Sequence, residues 1–467
     1  MTFQKTFSTK GCGFILYDII LSLAISGVFV SIVTVITFES RDIYAHARAK
    51  TGLIRVYKDH VGEFADLQPY EERQSSFEQA SSTDGISITA KARWFGNDQI
   101  ETDIGVSGGR ARLDLTMVRR YVSPDGSDSA GTPLCEADFG EGDIDIAPIP
   151  LPIDPLLPLT DLIVRGGVAY ISADSSVAGD SDLLIADIGH ESQPSILSSL
   201  NTGPGLSAIA LAHDRVFAAA ASTAFQLHVI KLNGTNSIYL SKKFQLPLPE
   251  ASTSPPTGSA IFYRDKKIYI GTEKWDGLEF SILDVSNPET PAVISGFETN
   301  SKINDIYVRG PTAYIAASGQ SQLIALDLHD QSHPYTIFSF EPSGWQRQEG
   351  RSISRFEDAV SFGRTSGGFN IVNDKELFVF GSTSPITPVS FADVSGGVYG
   401  IVSDRSRVFA AARTLDRELS IFDPLSGALV AHHSLPVEPQ TITCDGDRLY
   451  ILAKSAPVIY EITIKKQ

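Results

Sequence analysis

The sequence is poor in the residues and motifs that mark metal centres and catalytic sites. Its 467 residues include three cysteines, two methionines and three tryptophans. Three cysteines are too few for a disulfide framework or for a four-cysteine zinc site. The H-E-x-x-H, G-x-S-x-G and P-loop patterns are absent, and so is the D-x-[DN]-x-[DN]-G calcium loop. No motif therefore points to a catalytic centre.

Positive charge is also scarce. Lysine and arginine number 38 against 55 aspartates and glutamates, which gives a net charge of −17. A field of that sign repels phosphate, so nucleic acid is not an expected partner. The chain has 38 glycines, 25 prolines, 25 phenylalanines and 15 tyrosines. This composition favours many short strands joined by tight turns.

One long apolar run lies near the N-terminus. Residues 14–38 form a stretch of 25 residues with a single charge, Asp18. As a helix this stretch spans about 38 Å, enough to cross a bilayer. It is too long for the apolar part of a secretory signal, and no small-residue cleavage pattern follows it. The sequence therefore predicts a transmembrane helix, which a more polar helical pattern extends to residue 67.

The start of this run carries a recognisable arrangement. A short basic leader, residues 1–13, ends in Gly13; Phe14 follows, and Asp18 is the fifth residue after the glycine. This arrangement resembles the class III signal of type IV pilins and pseudopilins. The resemblance implies cleavage by a prepilin peptidase between Gly13 and Phe14, methylation of Phe14, and a filament contact between Asp18 and the N-terminal amine of a neighbouring pilin subunit. It implies a single-pass precursor in the inner (cytoplasmic) membrane and a mature protein in a pilus at the cell surface.

Two features qualify that resemblance. The pilin family usually has glutamate where this chain has Asp18, which favours a minor subunit. The alternative interpretation is that the Asp18 carboxylate reaches the lipid headgroups and makes no filament contact.

The middle of the chain has two different compositions. Residues 68–147 contain short alternating runs, which predict a small strand-rich head on the pilin-type helix. Five prolines then fall between Pro148 and Pro158. Residues 148–159 are therefore predicted to be an extended linker or, over Ile149–Leu157, a strand that closes the domain that follows.

Residues 160–467 repeat a unit of 41 to 53 residues. Seven short apolar strands begin the units, and most units continue with a second, a third and often a fourth strand. A four-stranded sheet with two apolar faces buries both only when it stacks between others in a ring. The predicted fold is therefore mainly β: a long N-terminal helix, a small head and a seven-bladed β-propeller. The seven predicted first strands begin at residues 161, 208, 260, 305, 358, 400 and 441.

The best copy of the unit is FSILDVSNPETP, at Phe280–Pro291. It resembles the LVIVD repeat, a family of predicted surface β-propellers. The fifth unit, residues 351–394, departs most from the repeat, so its strand assignment is open. An aspartate before a turn favours a cap on backbone amides over a catalytic role. The repeat's aspartate is found at Asp187, Asp284, Asp327 and Asp423.

Calcium is the metal that the sequence leaves open, although the expectation is no cofactor. Loops rich in carboxylates suit calcium, but none follows the usual spacing. These loops contain Asp125 and Asp128, Asp143 and Asp145, and Asp174, Asp180 and Asp182. Cys135 and Cys444 fall in different predicted domains and are expected to be unpaired, while Cys12 leaves with the leader.

Together, the two resemblances imply a minor pilin-like protein that displays a β-propeller for adhesion or partner recognition at a type IV pilus or its tip. The expected ligand is an extracellular glycan or protein, and no enzymatic activity is expected. Two alternatives stay open. One is a minor pseudopilin of a type II secretion system, whose propeller engages secreted cargo. The other is a membrane-tethered propeller enzyme.

Overall fold

The computed structural model describes part of the chain. It gives the backbone of residues 76–83, 86–95, 99–108 and 111–120, and it gives residues 144–464 with short gaps. The gaps are residues 176–178, 190–192, 213, 236, 249–254, 343–347, 357–358, 367–374, 382–387, 405 and 415. The predicted leader, Gly13, Phe14, Asp18 and the helix over 14–67 lie outside the described residues. Within the described ranges, no helix is long and apolar enough to cross a bilayer.

The chain divides into two compact units, Met1–Ser129 and Ala130–Gln467. The described part of the first unit is one antiparallel sheet whose strands pair in sequence order. This sheet lies within the segment for which a strand-rich head is predicted. Its strands are β1 (Ser76–Thr83), β2 (Ile86–Phe95), β3 (Gln99–Gly108) and β4 (Ala111–Arg120).

The second unit consists of seven four-stranded antiparallel sheets. The prediction of a mainly β, seven-bladed propeller is therefore confirmed. Blades 1 to 6 each use four consecutive strands, and blade 7 takes its fourth strand, β5 (Ile144–Pro150), from the beginning of the unit.

The strands of the blades are as follows. Blade 1 comprises β6 (Leu159–Arg165), β7 (Val168–Ala173), β8 (Leu183–Asp187) and β9 (Ser195–Leu200). Blade 2 comprises β10 (Leu206–Leu211), β11 (Arg215–Ala220), β12 (Leu227–Leu232) and β13 (Ile238–Phe244). Blade 3 comprises β14 (Gly258–Arg264), β15 (Lys267–Thr272), β16 (Phe280–Asp284) and β17 (Ala292–Phe297). Blade 4 comprises β18 (Ile303–Arg309), β19 (Thr312–Ala317), β20 (Leu323–Asp327) and β21 (Tyr335–Phe340).

The remaining blades follow the same plan. Blade 5 comprises β22 (Gly350–Phe356), β23 (Ala359–Arg364), β24 (Leu377–Phe380) and β25 (Pro388–Ala392). Blade 6 comprises β26 (Gly397–Ser403), β27 (Val408–Arg413), β28 (Leu419–Phe422) and β29 (Leu429–His433). Blade 7 comprises β30 (Pro439–Asp445), β31 (Arg448–Ala453), β32 (Val458–Ile464) and β5.

The first strands of the blades form the inner ring. Each contacts the first strand of the next blade, and β30 contacts β6, so the ring closes around a central channel. The second and third strands are buried on both faces, as in β7 and β8, because neighbouring blades cover them. The fourth strands are more exposed, as in β9, since one edge of each faces solvent. This gradient explains why the middle strands are runs of apolar residues and do not alternate.

The ring closes through a strand rich in proline. β5 pairs with β32, with Pro148 opposite Tyr460 and Pro150 opposite Val458. Alternate residues of an antiparallel strand direct their N–H groups to the same side of the strand. Pro148 and Pro150 both fall on the side that faces away from β32, so the missing N–H groups remove no hydrogen bond between the two strands. Proline is therefore compatible with this edge strand.

The closing strand begins earlier than predicted. It starts at Ile144, within the segment predicted to be the head, and ends at Pro150 instead of spanning Ile149–Leu157. Leu151 and the partly buried Leu157 pack into the core between blades 7 and 1. Leu151 and Leu157 are therefore packed between two blades and do not continue the strand.

Blade 5 differs from the sequence prediction. The run DAVS at residue 358 was predicted to begin its inner strand, but β23, which starts at Ala359, is the second strand. The inner strand is β22, whose sequence GRSISRF is mostly polar, with Ile353 and Phe356 as its apolar side chains. Repeat units elsewhere begin with an apolar run, so this polar strand carries no clear repeat signal.

Cys444 corrects a second expectation. It was predicted to be unpaired, but it is disulfide-bonded. The other cysteines of the chain, Cys12 and Cys135, lie outside the described residues. Cys444 is buried on β30 in a core cluster that also contains Ile144, the first residue of the closing strand. The disulfide of Cys444 therefore lies beside the closing strand, which begins at Ile144.

One core position is occupied by an unusual residue. His228 on β12 is fully buried, and within the described part of the chain neither of its ring nitrogens has a hydrogen-bond partner. Burial, together with the nearby charge of Lys243, lowers its pKa to about 4. The equivalent residues of blades 1 and 4 are Leu184 and Ile324, which pair with the second strand in the same register. The site therefore suits an apolar side chain.

We expect His228→Leu to stabilise the propeller by about 1–3 kcal/mol at neutral pH, because it removes two unsatisfied polar atoms. The gain should grow in acid. In the unfolded chain His228 is protonated below the usual histidine pKa of 6.5, whereas in the folded protein it stays neutral down to about pH 4. The stability of the wild type therefore falls as the pH is lowered from 6.5 to about 4. Unfolding midpoints at several pH values would test this. A variant less stable than wild type at pH 5 would contradict it.

Candidate functional site

Every inner strand carries a β-bulge at the same place. One extra residue stands after the first paired residue in six blades and after the second paired residue in blade 6. Because the inner strands start at the same end of the ring, these residues surround one end of the channel, here called the channel mouth. Bulges often redirect a side chain beside a functional site. The seven extra residues, here called the bulge ring, are Thr160, Ser207, Ser259, Asn304, Arg351, Tyr399 and Gln440, and all are polar.

Four members of the bulge ring link neighbouring blades. Each side chain donates a hydrogen bond to a backbone carbonyl oxygen at the start of the next inner strand. The pairs are Thr160 to Leu206 (2.8 Å), Ser259 to Ile303 (2.6 Å), Asn304 to Gly350 (2.6 Å) and Gln440 to Thr160 (3.2 Å). These bonds satisfy polar groups at the crowded centre of the ring, so a structural role accounts for the short polar residues.

Ser207 of blade 2 keeps a short polar side chain but makes no such bond among the described residues. Blades 5 and 6 depart further from the pattern. Their bulge residues, Arg351 and Tyr399, are larger than a bond to a carbonyl requires. In blade 6, the link to the next blade comes from Arg413 at the end of β27, whose Nε donates to the carbonyl oxygen of Pro439 (3.3 Å). Departures from a repeated structural rule are expected at functional sites. Arg351, Tyr399 and Arg413, here called the arginine–tyrosine cluster, are therefore the candidate site.

The cluster is organised around the tyrosine ring. The guanidinium carbon of Arg413 lies 3.4 Å from the ring centroid of Tyr399, and that of Arg351 lies 5.3 Å from it. Both distances are within the range of cation–π attraction. One aromatic ring thus holds two cationic side chains in place.

Polar neighbours hold the two guanidinium groups further. Arg413 Nη2 donates to Gln440 Oε1 (2.8 Å), and the carboxylate of Glu438 is 3.9 Å away. Arg351 forms a 2.6 Å ion pair with Glu349, while its buried Nε–H has no hydrogen-bond partner among the residues that the structure describes. Burial lowers the pKa of Arg413, and the positive charge of Arg351 contributes to this. The side chains of Arg413 and Arg351 are still 18% and 29% exposed, so a ligand can reach them.

Two aspartates follow the bulge in blades 1 and 4. Asp161 accepts a hydrogen bond from the N–H of Ile209 (3.0 Å), and Asp305 accepts one from the N–H of Ile353 (2.7 Å). Burial raises the pKa of Asp161 to about 6 and that of Asp305 to about 7; the charge of Asp161 contributes to the second shift. Near neutral pH Asp161 is therefore mostly ionised and Asp305 about half ionised, which places negative charge close to the channel mouth.

The repeat aspartates lie in turns of their separate blades. In each, Oδ1 accepts a hydrogen bond from the backbone N–H two residues further along, as in an Asx turn. The bonds run from Gly189 to Asp187 (3.0 Å), from Ser286 to Asp284 (2.8 Å), from His329 to Asp327 (2.6 Å) and from Leu425 to Asp423 (3.0 Å). These contacts are turn caps, and the structure does not bring the four carboxylates together.

The acidic loops considered for calcium are partly described. Asp182 Oδ2 accepts hydrogen bonds from the N–H groups of Thr202 (2.6 Å) and Gly203 (2.9 Å). That oxygen therefore has a structural role. Asp125, Asp128 and Asp143 lie outside the described residues. Within the described part of the chain, no group of three or more histidine, cysteine, aspartate or glutamate side chains is placed to hold a metal ion.

Asp182 belongs to a set of buried caps that the sequence interpretation missed. One buried polar residue precedes the third strand in blades 1 to 6 and, in most of them, binds the loop after the fourth strand. Glu279 Oε2, for example, accepts hydrogen bonds from the N–H groups of Thr299 (2.9 Å) and Asn300 (3.1 Å). The recurrence of an acid or amide before each third strand was a usable signal. The set comprises Asp182, Gln226, Glu279, Gln322, Glu376 and Glu418.

Comparison with known proteins supports the fold and leaves the site unassigned. The LVIVD repeat family matches residues 160–202, which contain blade 1. The prediction of an LVIVD repeat is thus confirmed for this segment. No curated protein sequence gives a significant match.

The solved structures that resemble this chain are distant in sequence. Virginiamycin B lyase from Staphylococcus aureus is 11% identical, with a TM-score of 0.51 over 69% of this chain and 100% of that chain. A catalytically inactive form of this lyase with quinupristin gives 12% identity, a TM-score of 0.51 and the same coverage. BamB from Moraxella catarrhalis is 14% identical, with a TM-score of 0.45 over 84% of this chain and 99% of that chain. At such identity, similarity to the lyase shows the propeller fold alone.

Sequence reasoning did not find the arginine–tyrosine cluster. Its members come from an inner strand of blade 5, an inner strand of blade 6 and the end of β27, and no motif joins them. An alignment of all seven inner strands on the bulge would have placed Arg351 and Tyr399 at equivalent positions. The misplacement of the blade 5 inner strand prevented that alignment.

Proposed function

We propose that the propeller is a binding domain that receives its ligand at the arginine–tyrosine cluster, and that the N-terminal segment displays it at the cell surface as a minor pilin-like subunit. The observation that carries this proposal is the break in the bulge ring. Short polar side chains occupy the bulge in the other five blades, and four of them link neighbouring blades, whereas blades 5 and 6 place two cations and an aromatic ring at the channel mouth. Convergent polar groups in a concave position are typical of ligand sites.

Display outside the cytoplasm has independent support from cysteine chemistry. Cys444 is disulfide-bonded although the whole chain has three cysteines. Disulfides persist mainly in oxidising compartments, such as the periplasm and the cell surface. The arrangement of Gly13, Phe14 and Asp18 resembles a pilin signal and agrees with that location.

A binding screen tests the proposal. The purified full-length protein and intact expressing cells are probed with arrays of glycans and of extracellular proteins. We expect Tyr399→Ala to weaken binding of any ligand found by about tenfold or more, because it removes the ring that positions both arginines. Tyr399→Phe, which keeps the ring, should retain most of the binding.

Tyr335→Ala is the matched control, since Tyr335 is 57% exposed on the outer strand of blade 4. Equal affinities of wild type and Tyr399→Ala for a ligand of the propeller would place the binding site elsewhere. Binding by purified protein but not by intact cells would contradict display at the surface.

A further inference from the structure

We propose that the arginine–tyrosine cluster binds the carboxylate of an acidic sugar, with the sugar hydroxyls directed to the rest of the bulge ring. This inference rests on the proposed function, because it names the ligand class of the same site. Three observations carry it: the orientation of the arginines, the unbalanced charge around them and the chemistry of the remaining ring.

The orientation comes from the contact between Arg413 and Tyr399. At 3.4 Å from the ring centroid, the guanidinium group lies flat on the aromatic face, since an edge-on approach would bring one nitrogen too close to the ring. A stacked guanidinium keeps its N–H groups in the plane parallel to the ring. Nε and one N–H of Nη2 already donate to Pro439 and Gln440, so a carboxylate would take its two parallel hydrogen bonds from the outer edge, formed by Nη1 and Nη2.

The charge around the cluster is not balanced within it. The two guanidinium groups share one tyrosine ring and repel each other. Glu349 contacts Arg351 closely, but the carboxylate that the described residues bring to Arg413 is Glu438, at 3.9 Å, and Glu438 also pairs with Lys454 at 3.2 Å. Arg351 also keeps a buried Nε–H without an acceptor. An anion between the arginines would supply the missing acceptor and the missing charge.

The surroundings favour one negative charge over two. Asp161 and Asp305 lie one residue past the bulge ring, and Glu349 and Glu438 flank the arginines. The chain as a whole carries a net charge of −17. A dianionic phosphate ester would meet all of these charges, whereas a carboxylate adds one charge and matches the planar guanidinium edge.

The rest of the bulge ring selects a hydroxylated ligand over an apolar one. Its members outside the cluster have hydroxyl or amide side chains, and none is hydrophobic. A fatty acid would therefore find no apolar wall beside its carboxylate. Most of these side chains already donate to a carbonyl of the next blade, and sugar hydroxyls can donate to the lone pairs that remain on their oxygens. The members are Thr160, Ser207, Ser259, Asn304 and Gln440.

The test compares an acidic sugar with its uncharged ester and with an acidic peptide. Full-length protein is titrated by calorimetry with a tetrasaccharide of galacturonic acid, with its methyl ester and with tetraglutamate. We expect the acid to bind at least about tenfold more tightly than the ester, with affinity falling as salt is added, because the ester cannot accept the charged hydrogen bonds. Tetraglutamate should bind more weakly, because it lacks the hydroxyls.

Variants locate the effect. Arg413→Gln should lower affinity for the tetrasaccharide about tenfold or more, and Arg413→Lys should fall between it and wild type, because lysine keeps the charge without the planar fork. Arg448→Gln is the matched control, because Arg448 is an exposed arginine at the other end of the blades, paired with Glu461. Circular dichroism melts would show whether each variant is folded.

The outcomes separate the two proposals. Equal affinity for acid and ester, or no binding of either, would overturn the carboxylate inference, while the array screen with Tyr399→Ala would still decide the proposed function. Equal affinity for tetraglutamate and the sugar acid would overturn the choice of a sugar. If Arg413→Gln folds and binds as wild type does, the cluster is not the site.

Discussion

Replacing Cys444 by serine is expected to lower the free energy of unfolding by about 3–5 kcal/mol under oxidising conditions. The residue is 3% exposed on the inner strand of blade 7, the blade that the early strand β5 completes. A cross-link there restricts the unfolded chain and so stabilises the closed ring. Denaturant midpoints measured with and without a reductant give the size of the effect.

Serine variants of the other cysteines identify the partner. If Cys135 is bonded to Cys444, then Cys135→Ser should match Cys444→Ser, and the double variant should be no less stable than either. Cys12→Ser should then behave as wild type. Reduction should bring the wild-type protein to the level of Cys444→Ser. Identical midpoints for wild type and Cys444→Ser without reductant would refute a stabilising disulfide.

Asp305→Asn is expected to flatten the dependence of stability on pH. Burial and the charge of Asp161 raise the pKa of Asp305 from 3.8 to about 7. Below the lower value both the folded and the unfolded state are protonated. Between pH 3.8 and about 7, Asp305 is protonated in the folded state but ionised in the unfolded state, so stability falls as pH rises. Above about pH 7, Asp305 is ionised in both states and the whole loss of stability is present. A shift of this size corresponds to about 4 kcal/mol if it is fully realised.

The asparagine side chain cannot ionise, so the variant does not lose this stability as pH rises. It should be more stable than wild type at pH 8 and less stable near pH 4, although losing one carboxylate acceptor for a backbone N–H reduces the gain. The difference between variant and wild type is the quantity to measure, because His228 changes stability in the opposite direction over part of this range. Asp145→Asn, at an exposed position of β5, is the control. Parallel pH profiles of Asp305→Asn and wild type would contradict the prediction.

The fold of the propeller was predictable because its signal is local and repeated. Each unit places a short apolar strand, a turn and a second apolar strand within a few residues, as in DIYV and AYIAA of blade 4. A sheet that is apolar on both faces must be covered on both, which leads to a ring of blades. The turn aspartates were predictable for the same reason, since Asp284 and the N–H group it binds are two residues apart.

The tertiary structure alone decided the closure of the ring and the candidate site. β5 pairs with a strand more than 300 residues later in the chain, and the blade 5 inner strand is recognised by its neighbours because its own pattern is polar. Arg351, Tyr399 and Arg413 come together because two bulges and a strand end meet at the channel mouth. Repetition along the sequence reveals what every blade has in common, whereas contacts between blades depend on the curvature that brings distant residues together.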